Sequence, residues 1–244
     1  METVLHIHQL PGGPTFIEDD DTEYSLYLGA KALTQPDTDI AFSYPLILTE
    51  SVTGWTTARD MDSANSYEKY VDLECLRNNQ RIIEVGPGLG EFIPLLVGEN
   101  GPTLDHKPVI IDPVDYRTLQ RHLQKTLTQF GSHPIVEPLR ERLKILLERC
   151  EVYLSDQVVR YRETLGNALR KHGHIAGSAD VVISLYGPLS HWDTETGGPW
   201  NDRDIAPGRK MVRGLLRQLL KDPVHGHVFT QSDHYDSIET SFAE

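Results

Sequence analysis

Apolar positions fall into two alternating rhythms along most of the chain. The first 60 residues are the less regular part. Val4 to Leu10 predicts a short strand, ended by Pro11-Gly12-Gly13-Pro14. Glu18 to Glu23 (EDDDTE) predicts a solvated turn. Ile40 to Leu48 is rich in β-formers, but Pro45 makes it an edge strand or an irregular segment. Residues 49–62 carry Trp55 and little periodicity. From Ser63 the pattern sharpens. Ser63 caps a predicted helix to about Arg77, with Tyr67, Tyr70, Val71 and Cys75 or Glu74 at helical spacing. RIIEV (Arg81–Val85) reads as a strand, and a helix with Phe92, Leu95 and Leu96 inward follows it. PVIID (Pro108–Asp112) is a second strand. Two amphipathic helices come next, one built on Leu119, Leu123, Leu127 and Phe130, the other on Leu139, Leu143, Leu146 and Leu147. Glu151–Leu154 is taken as a third strand, and 157–172 as a helix with Val158, Tyr161, Leu165 and Leu169 in phase. ADVVISLY (Ala179–Tyr186) is a fourth strand. A helix over 208–221 turns Met211, Val212, Leu215, Leu216, Leu219 and Leu220 inward, and Gly226–Gln231 is a fifth strand.

Strands alternating with helices predict an α/β fold, a doubly wound and mostly parallel sheet covered on both faces. Ligands on such sheets bind beyond the carboxyl ends of the strands. The informative residues therefore lie just after each short apolar run.

Composition narrows the class. The 244 residues suit one large domain, or one domain with an arm. The division expected is an N-terminal extension or lid over 1–62 and a main domain over 63–244. No apolar run nears the ~20 residues of a membrane-spanning helix, and METVLHIHQLPGG lacks the basic start and apolar run of a secretion signal. Two cysteines, Cys75 and Cys150, with no CxxC, exclude a disulfide framework or a cysteine zinc site as a theme. A cytoplasmic setting is the expectation. The net charge of −13 weighs against sequence-independent nucleic-acid binding, while leaving room for a local basic face.

The chemistry concentrates in Gly86-Pro87-Gly88-Leu89-Gly90, between a strand and a helix. Glycine permits positive φ and close approach of backbone to a ligand. The helix that follows offers free N–H groups and a positive dipole end. The spacing is GxGxG, not the GxGxxG dinucleotide fingerprint. Glu84 lies two residues before the first glycine. Asp112 ends the next strand, 22 residues after Gly90, where an acid can accept from two ribose hydroxyls. Asp156 follows the expected third strand, where a carboxylate could accept from an adenine amino group.

These residues resemble the class I S-adenosylmethionine-dependent methyltransferases over roughly 63–232. The resemblance rests on EVGPGLG (Glu84–Gly90), VIIDP (Val109–Pro113), YLSD (Tyr153–Asp156) and ADVVISLYGPL (Ala179–Leu189). It implies S-adenosylmethionine as cofactor. Glu84, Gly86, Gly88 and Gly90 would then hold its methionine part, Asp112 its ribose and Asp156 its adenine. The segment Tyr186-Gly187-Pro188-Leu189 would line the methyl-transfer site. Two departures stand out. The stretch between strands two and three holds two helices where one is usual. Only 13 residues follow Gln231, which leaves no room for the usual antiparallel sixth and seventh strands. Either the sheet is truncated there or the N-terminal strands supply its edge.

Methyl transfer from a sulfonium is an in-line displacement, so the protein must hold the acceptor atom and the methyl ~3–3.5 Å apart. A base is needed only where the acceptor loses a proton. The turn after strand four lacks the Asn or Asp-Pro-Pro-aromatic signature that grips an exocyclic amine, and no Pro-Cys pair is present for attack on cytosine. The acceptor expected is a small molecule or peptide, with nucleic acid disfavoured and a homo-oligomer compatible. His191 is the candidate base, Tyr186 a second catalytic candidate, and Trp192 a pocket wall. Asp193 is a weaker candidate. Trp55, Tyr67 and Trp200 would belong to a lid. Three HxH pairs, His6/His8, His172/His174 and His225/His227, have spacing that suits a metal on a strand. Solvated surface is the plainer reading, and no metal site is expected. His234 or Asp233 could line the acceptor pocket. Competing readings are a methyltransferase-like subunit that binds or assembles without catalysis, a nicotinamide-dependent oxidoreductase, and a metal hydrolase.

Overall fold

In the computed structural model, the residues described are 5–9, 15–19, 24–31, 43–50, 56–60, 80–98, 101, 103–134, 136–184, 205–224, 226–231 and 238–242. They divide into two units, Met1–Ser66 with Asp115–Leu154, and Tyr67–Val114 with Ser155–Glu244. The helical insertion between the second and third strands of the main sheet thus groups with the N-terminal strands.

The first unit carries β1 (Leu5–Gln9), β2 (Thr15–Asp19), β3 (Tyr24–Lys31), β4 (Ser43–Glu50) and β5 (Thr56–Asp60). They pair as an antiparallel meander in chain order. Ile7, Ile17, Leu26, Leu48 and Ala58 lie side by side across it. Ile17, Leu26 and Leu48 are fully buried, so this row is the core face. The N-terminal strands therefore pair with one another and add no edge to the main sheet. Pro45 is in β4, which has a neighbour on each side, yet β5 pairs only from Leu46 onward. The proline thus stands where no second neighbour needs its missing N–H. Among its described residues this unit also carries two α-helices, α2 (Tyr116–Phe130) and α3 (Arg140–Leu154). The Asp115 carboxylate caps α2 by accepting from the Arg117 and Thr118 N–H groups. Tyr116 and Tyr153 stack at 4.8 Å between ring centres.

The second unit holds β6 (Ile82–Val85), β7 (Val109–Ile111), β8 (Val159–Tyr161), β9 (Val181–Ser184), β10 (His227–Gln231) and β11 (Ile238–Phe242). Its α-helices among the described residues are α1 (Phe92–Val97), α4 (Leu165–Lys171) and α5 (Ile205–Gln218). The strand order is β11-β10-β9-β6-β7-β8. Five strands run parallel, and β11 pairs antiparallel to β10. This is a Rossmann-like sheet whose order reverses between β6 and β9. The tail that left no space for an antiparallel pair accommodates one such strand.

Every residue of β6 and β9 is buried, as a central parallel strand requires. Ile83, Val85, Ile111, Val182 and Val228 pack with Leu165, Ala168, Val212, Leu216 and Leu219 from α4 and α5. Each such side chain contributes roughly 1.5–3 kcal/mol when fully buried. Side chains alternate along a strand, so Glu84, between Ile83 and Val85, points to the opposite face. Met211, expected inside, is 48% exposed, because Val212, Leu216 and Leu219 define the inward line of α5.

Two boundaries differ from expectation. Glu151–Leu154 is not the third strand: it is the end of α3. Leu143, Leu146, Cys150 and Tyr153 are buried at spacings of three and four, and that helical stripe outweighs the β-forming Val152 and Tyr153. The third strand is Val159–Tyr161, inside the segment read as a helix, which shrinks to α4. It was hidden because Val159 and Arg160 are exposed, so it carries no apolar run.

Candidate functional site

The carboxyl end of β6 runs straight into the glycine loop. Gly86 and Gly88 adopt φ of 66° and 53°, the left-handed region that a side chain disfavours. The loop is tied to the neighbouring strand twice. The Gly86 N–H donates to the Ile111 carbonyl (2.9 Å), and the Gly88 N–H donates to Asp112 Oδ2 (2.8 Å). The Gly90 N–H closes the turn on the Pro87 carbonyl (2.8 Å). Asp112 Oδ1 accepts from the Val114 N–H (2.9 Å), and the Asp112 N–H donates to the Tyr161 carbonyl of β8 (3.0 Å). Asp112 thus links the glycine loop, the exit of β7 and the end of β8. Gly86→Ala is expected to lose about 1–2 kcal/mol, the cost of a side chain in a left-handed conformation. A melting curve reads this as a drop of a few degrees.

Glu84 is fully buried, and neither carboxylate oxygen has a hydrogen-bond partner. Burial raises its pKa well above the usual carboxylate value, and the negative charge of Asp112 raises it further. An unpartnered buried carboxyl costs stability. It is a candidate to meet a donor or a cation that a ligand brings. Ser184, at the carboxyl end of β9, is also buried with an unpartnered Oγ. Val182 and Ser184 share a face with Ile83 and Val85, so Ser184 points away from Glu84.

The structure therefore brings Glu84, Gly86, Gly88, Gly90 and Asp112 together and leaves Asp156 apart. Asp156 is exposed in the turn before β8, at the amino end of the strand it was expected to follow. Its assignment to adenine rested on a strand at 151–154 and loses that basis. The residues at the carboxyl end of β8 are Arg162 and Glu163. Arg162 Nε donates to the Pro113 carbonyl (3.4 Å), and Glu163 pairs with Lys171 at 2.7 Å. Sequence reading missed both, and only the three-residue strand before them would have marked them. Tyr186, His191, Trp192 and Asp193 lie outside the described residues. So do Trp55, Tyr67, Trp200, His225, Asp233 and His234.

The histidine pairs divide. His6 and His8 are exposed on β1, 6.3 Å apart between ring centres. His174 Nε2 lies 2.8 Å from the Tyr161 hydroxyl, and the His172 ring packs on Tyr161 at 4.6 Å. Among the described residues, no group of three His, Cys, Asp or Glu side chains could hold a metal ion. Among them too, no helix is long and apolar enough to cross a membrane. Cys150 is buried in α3 with its thiol pKa pushed up to about 12, chiefly by burial. No protein-family model matches this chain, and no curated protein matches it in sequence.

Proposed function

We propose that the chain binds S-adenosylmethionine at the glycine loop and transfers its methyl group to a small-molecule or peptide acceptor. The observation that carries this reading is the joined set at the end of β6. A loop with two left-handed glycines is hydrogen-bonded to the acid that ends the adjacent strand, above a buried carboxyl with no partner. The loop lies at the carboxyl end of the strand that flanks the sheet's order reversal, where such sheets take their ligands.

When bound, the cofactor supplies an electrophilic methyl on a sulfonium. The protein's part is positional. The left-handed glycines let backbone approach the ligand without a Cβ in the way. Asp112 sets the loop's height against β7 and presents negative charge toward ribose hydroxyls. Glu84 offers its carboxyl to a cationic or N–H group of the ligand. His191 and Tyr186, after the fourth strand, are the candidates to face the acceptor, with His191 taking a proton where the acceptor must lose one.

One observation favours the second reading, a binding or assembly subunit without turnover. Asp112 is only 4% exposed, and each of its oxygens accepts a backbone N–H. Calorimetry separates the two. Micromolar binding of S-adenosylmethionine and S-adenosylhomocysteine to the purified chain is expected. Failure of both to bind would overturn the cofactor and put the assembly role first.

A further inference from the structure

The paired histidines His172 and His174 have no part in the cofactor reading, and they do not lie on a strand. They flank Gly173 where α4 ends and a 3-10 turn, Gly173–Ile175, begins. Ile175 is buried in the core of the unit, so the turn is anchored from below. Both histidine rings meet one residue. The His172 ring packs on the Tyr161 ring at 4.6 Å between centres, and His174 Nε2 lies 2.8 Å from the Tyr161 hydroxyl. The two histidine rings stand edge to face, 6.2 Å apart. Tyr161 is the last residue of β8, and its side chain also packs against the same core.

β8 has little else to hold its side chains. It is three residues long and stands at the end of the sheet's strand order among the described residues. Its ladder there reaches one neighbour, β7. Val159 and Arg160 are exposed, so Tyr161 is the residue of this strand that joins the core. Beyond it, Arg162 reaches the Pro113 carbonyl at 3.4 Å and Glu163 pairs with Lys171 at 2.7 Å. Both links lie toward solvent, where such pairs add little. The Tyr161 carbonyl accepts from the Asp112 N–H (3.0 Å) and from the Glu163 N–H (2.9 Å). The Asp112 carboxylate in turn holds the Gly88 N–H at 2.8 Å. A continuous line of contacts thus runs from His174 through Tyr161 and Asp112 to the left-handed glycine loop. A short strand end fixed by one side chain opens more often when that side chain is released.

We infer that Tyr161, gripped by His172 and His174, is a positioning residue that sets Asp112 and the glycine loop for their ligand. The choice of S-adenosylhomocysteine as probe rests on the cofactor reading, so the test pairs it with a readout that needs no ligand. That readout is amide hydrogen exchange of the full chain, followed by NMR. Tyr161→Phe and His174→Ala should each speed exchange at the Asp112 and Gly88 amides about two- to fivefold relative to the amides of β9, the effect of one hydrogen bond of modest strength. Calorimetry should show the affinity for S-adenosylhomocysteine falling by a similar factor in each. The double variant should be no worse than either single one, because both changes break the same bond. His174→Gln returns a polar side chain to the hydroxyl and should recover most of the loss. These variants should fold, since phenylalanine keeps the packing of Tyr161 and His174 is exposed. Any of four results would overturn the inference: unchanged relative exchange at Asp112 and Gly88, affinity that both single variants leave intact, losses that add in the double variant, or losses that His174→Gln leaves in place. If the unmodified chain does not bind the probe, the cofactor reading falls, and the exchange rates alone decide the role of Tyr161.

Discussion

Asp112→Ala is expected to lose about 2–6 kcal/mol of stability and all measurable S-adenosylmethionine binding. The side chain accepts from two backbone amides, Gly88 and Val114. Each amide left without a partner costs about 1–3 kcal/mol. The binding loss follows from the same bonds, because the Gly88 amide fixes the loop that would receive the ligand. Asp112→Asn is the control for charge. It keeps the shape and one acceptor oxygen, so it should be the milder variant. It also removes the negative neighbour of Glu84, so the Glu84 pKa should fall toward the usual range. Chemical denaturation gives the stability and calorimetry the binding. Asp112→Ala with unaltered stability would show that water replaces the carboxylate at both amides. Full binding in that variant would remove Asp112 from the site.

Glu84→Met is expected to move stability and binding in opposite directions. Methionine fills a similar volume and removes a buried polar group without partners, a gain of about 1–3 kcal/mol at pH 8. The pH dependence has a definite sign. The folded-state pKa of Glu84 is raised above its unfolded value, so the folded chain holds this proton more tightly. Its contribution is fully present below the unfolded value of about 4.5 and is lost as pH rises through the raised folded value. The advantage of Glu84→Met should therefore be largest on the alkaline side and shrink as pH falls toward 4.5. The same substitution should abolish cofactor binding, because the carboxyl that would answer a cationic ligand group is gone. A cationic ligand should also drive Glu84 toward its charged form. Binding heats measured in buffers of different ionisation enthalpy should then reveal proton release, absent in Glu84→Gln. A variant that is destabilised at pH 8 would mean that Glu84 has a role in the fold itself.

Together these variants test whether the polar groups at the end of β6 are kept for a ligand. A buried carboxyl without a partner lowers stability, and Asp112 close by makes it worse. Simple packing would replace Glu84 with an apolar residue like its neighbours Ile83 and Val85. Its presence beside left-handed glycines is a local conflict between stability and chemistry, and such conflicts gather at functional sites.

Much of the main sheet was legible in the sequence because its signals are local. IIEV, VII, VVIS and HVFTQ are short apolar or β-branched runs between helical stripes, and IIEV and VVIS, buried at every position, must read that way. The glycine loop was legible for a similar reason, since its glycines answer a backbone requirement set within five residues. The tertiary structure decided what depends on partners distant in sequence. It made β8 from three residues, two of them exposed, because pairing with β7 through backbone hydrogen bonds needs no apolar run. That one strand moved Asp156 from the carboxyl end to the amino end and withdrew it from the site. It joined β1 to β5 into a sheet of their own, since backbone ladders are blind to side-chain type and their choice of neighbour is not written in a single strand. It also paired Asp112 with the Gly88 amide and left Glu84 with nothing, a distinction between two acids that depends on the fold bringing residues 24 apart to hydrogen-bonding distance.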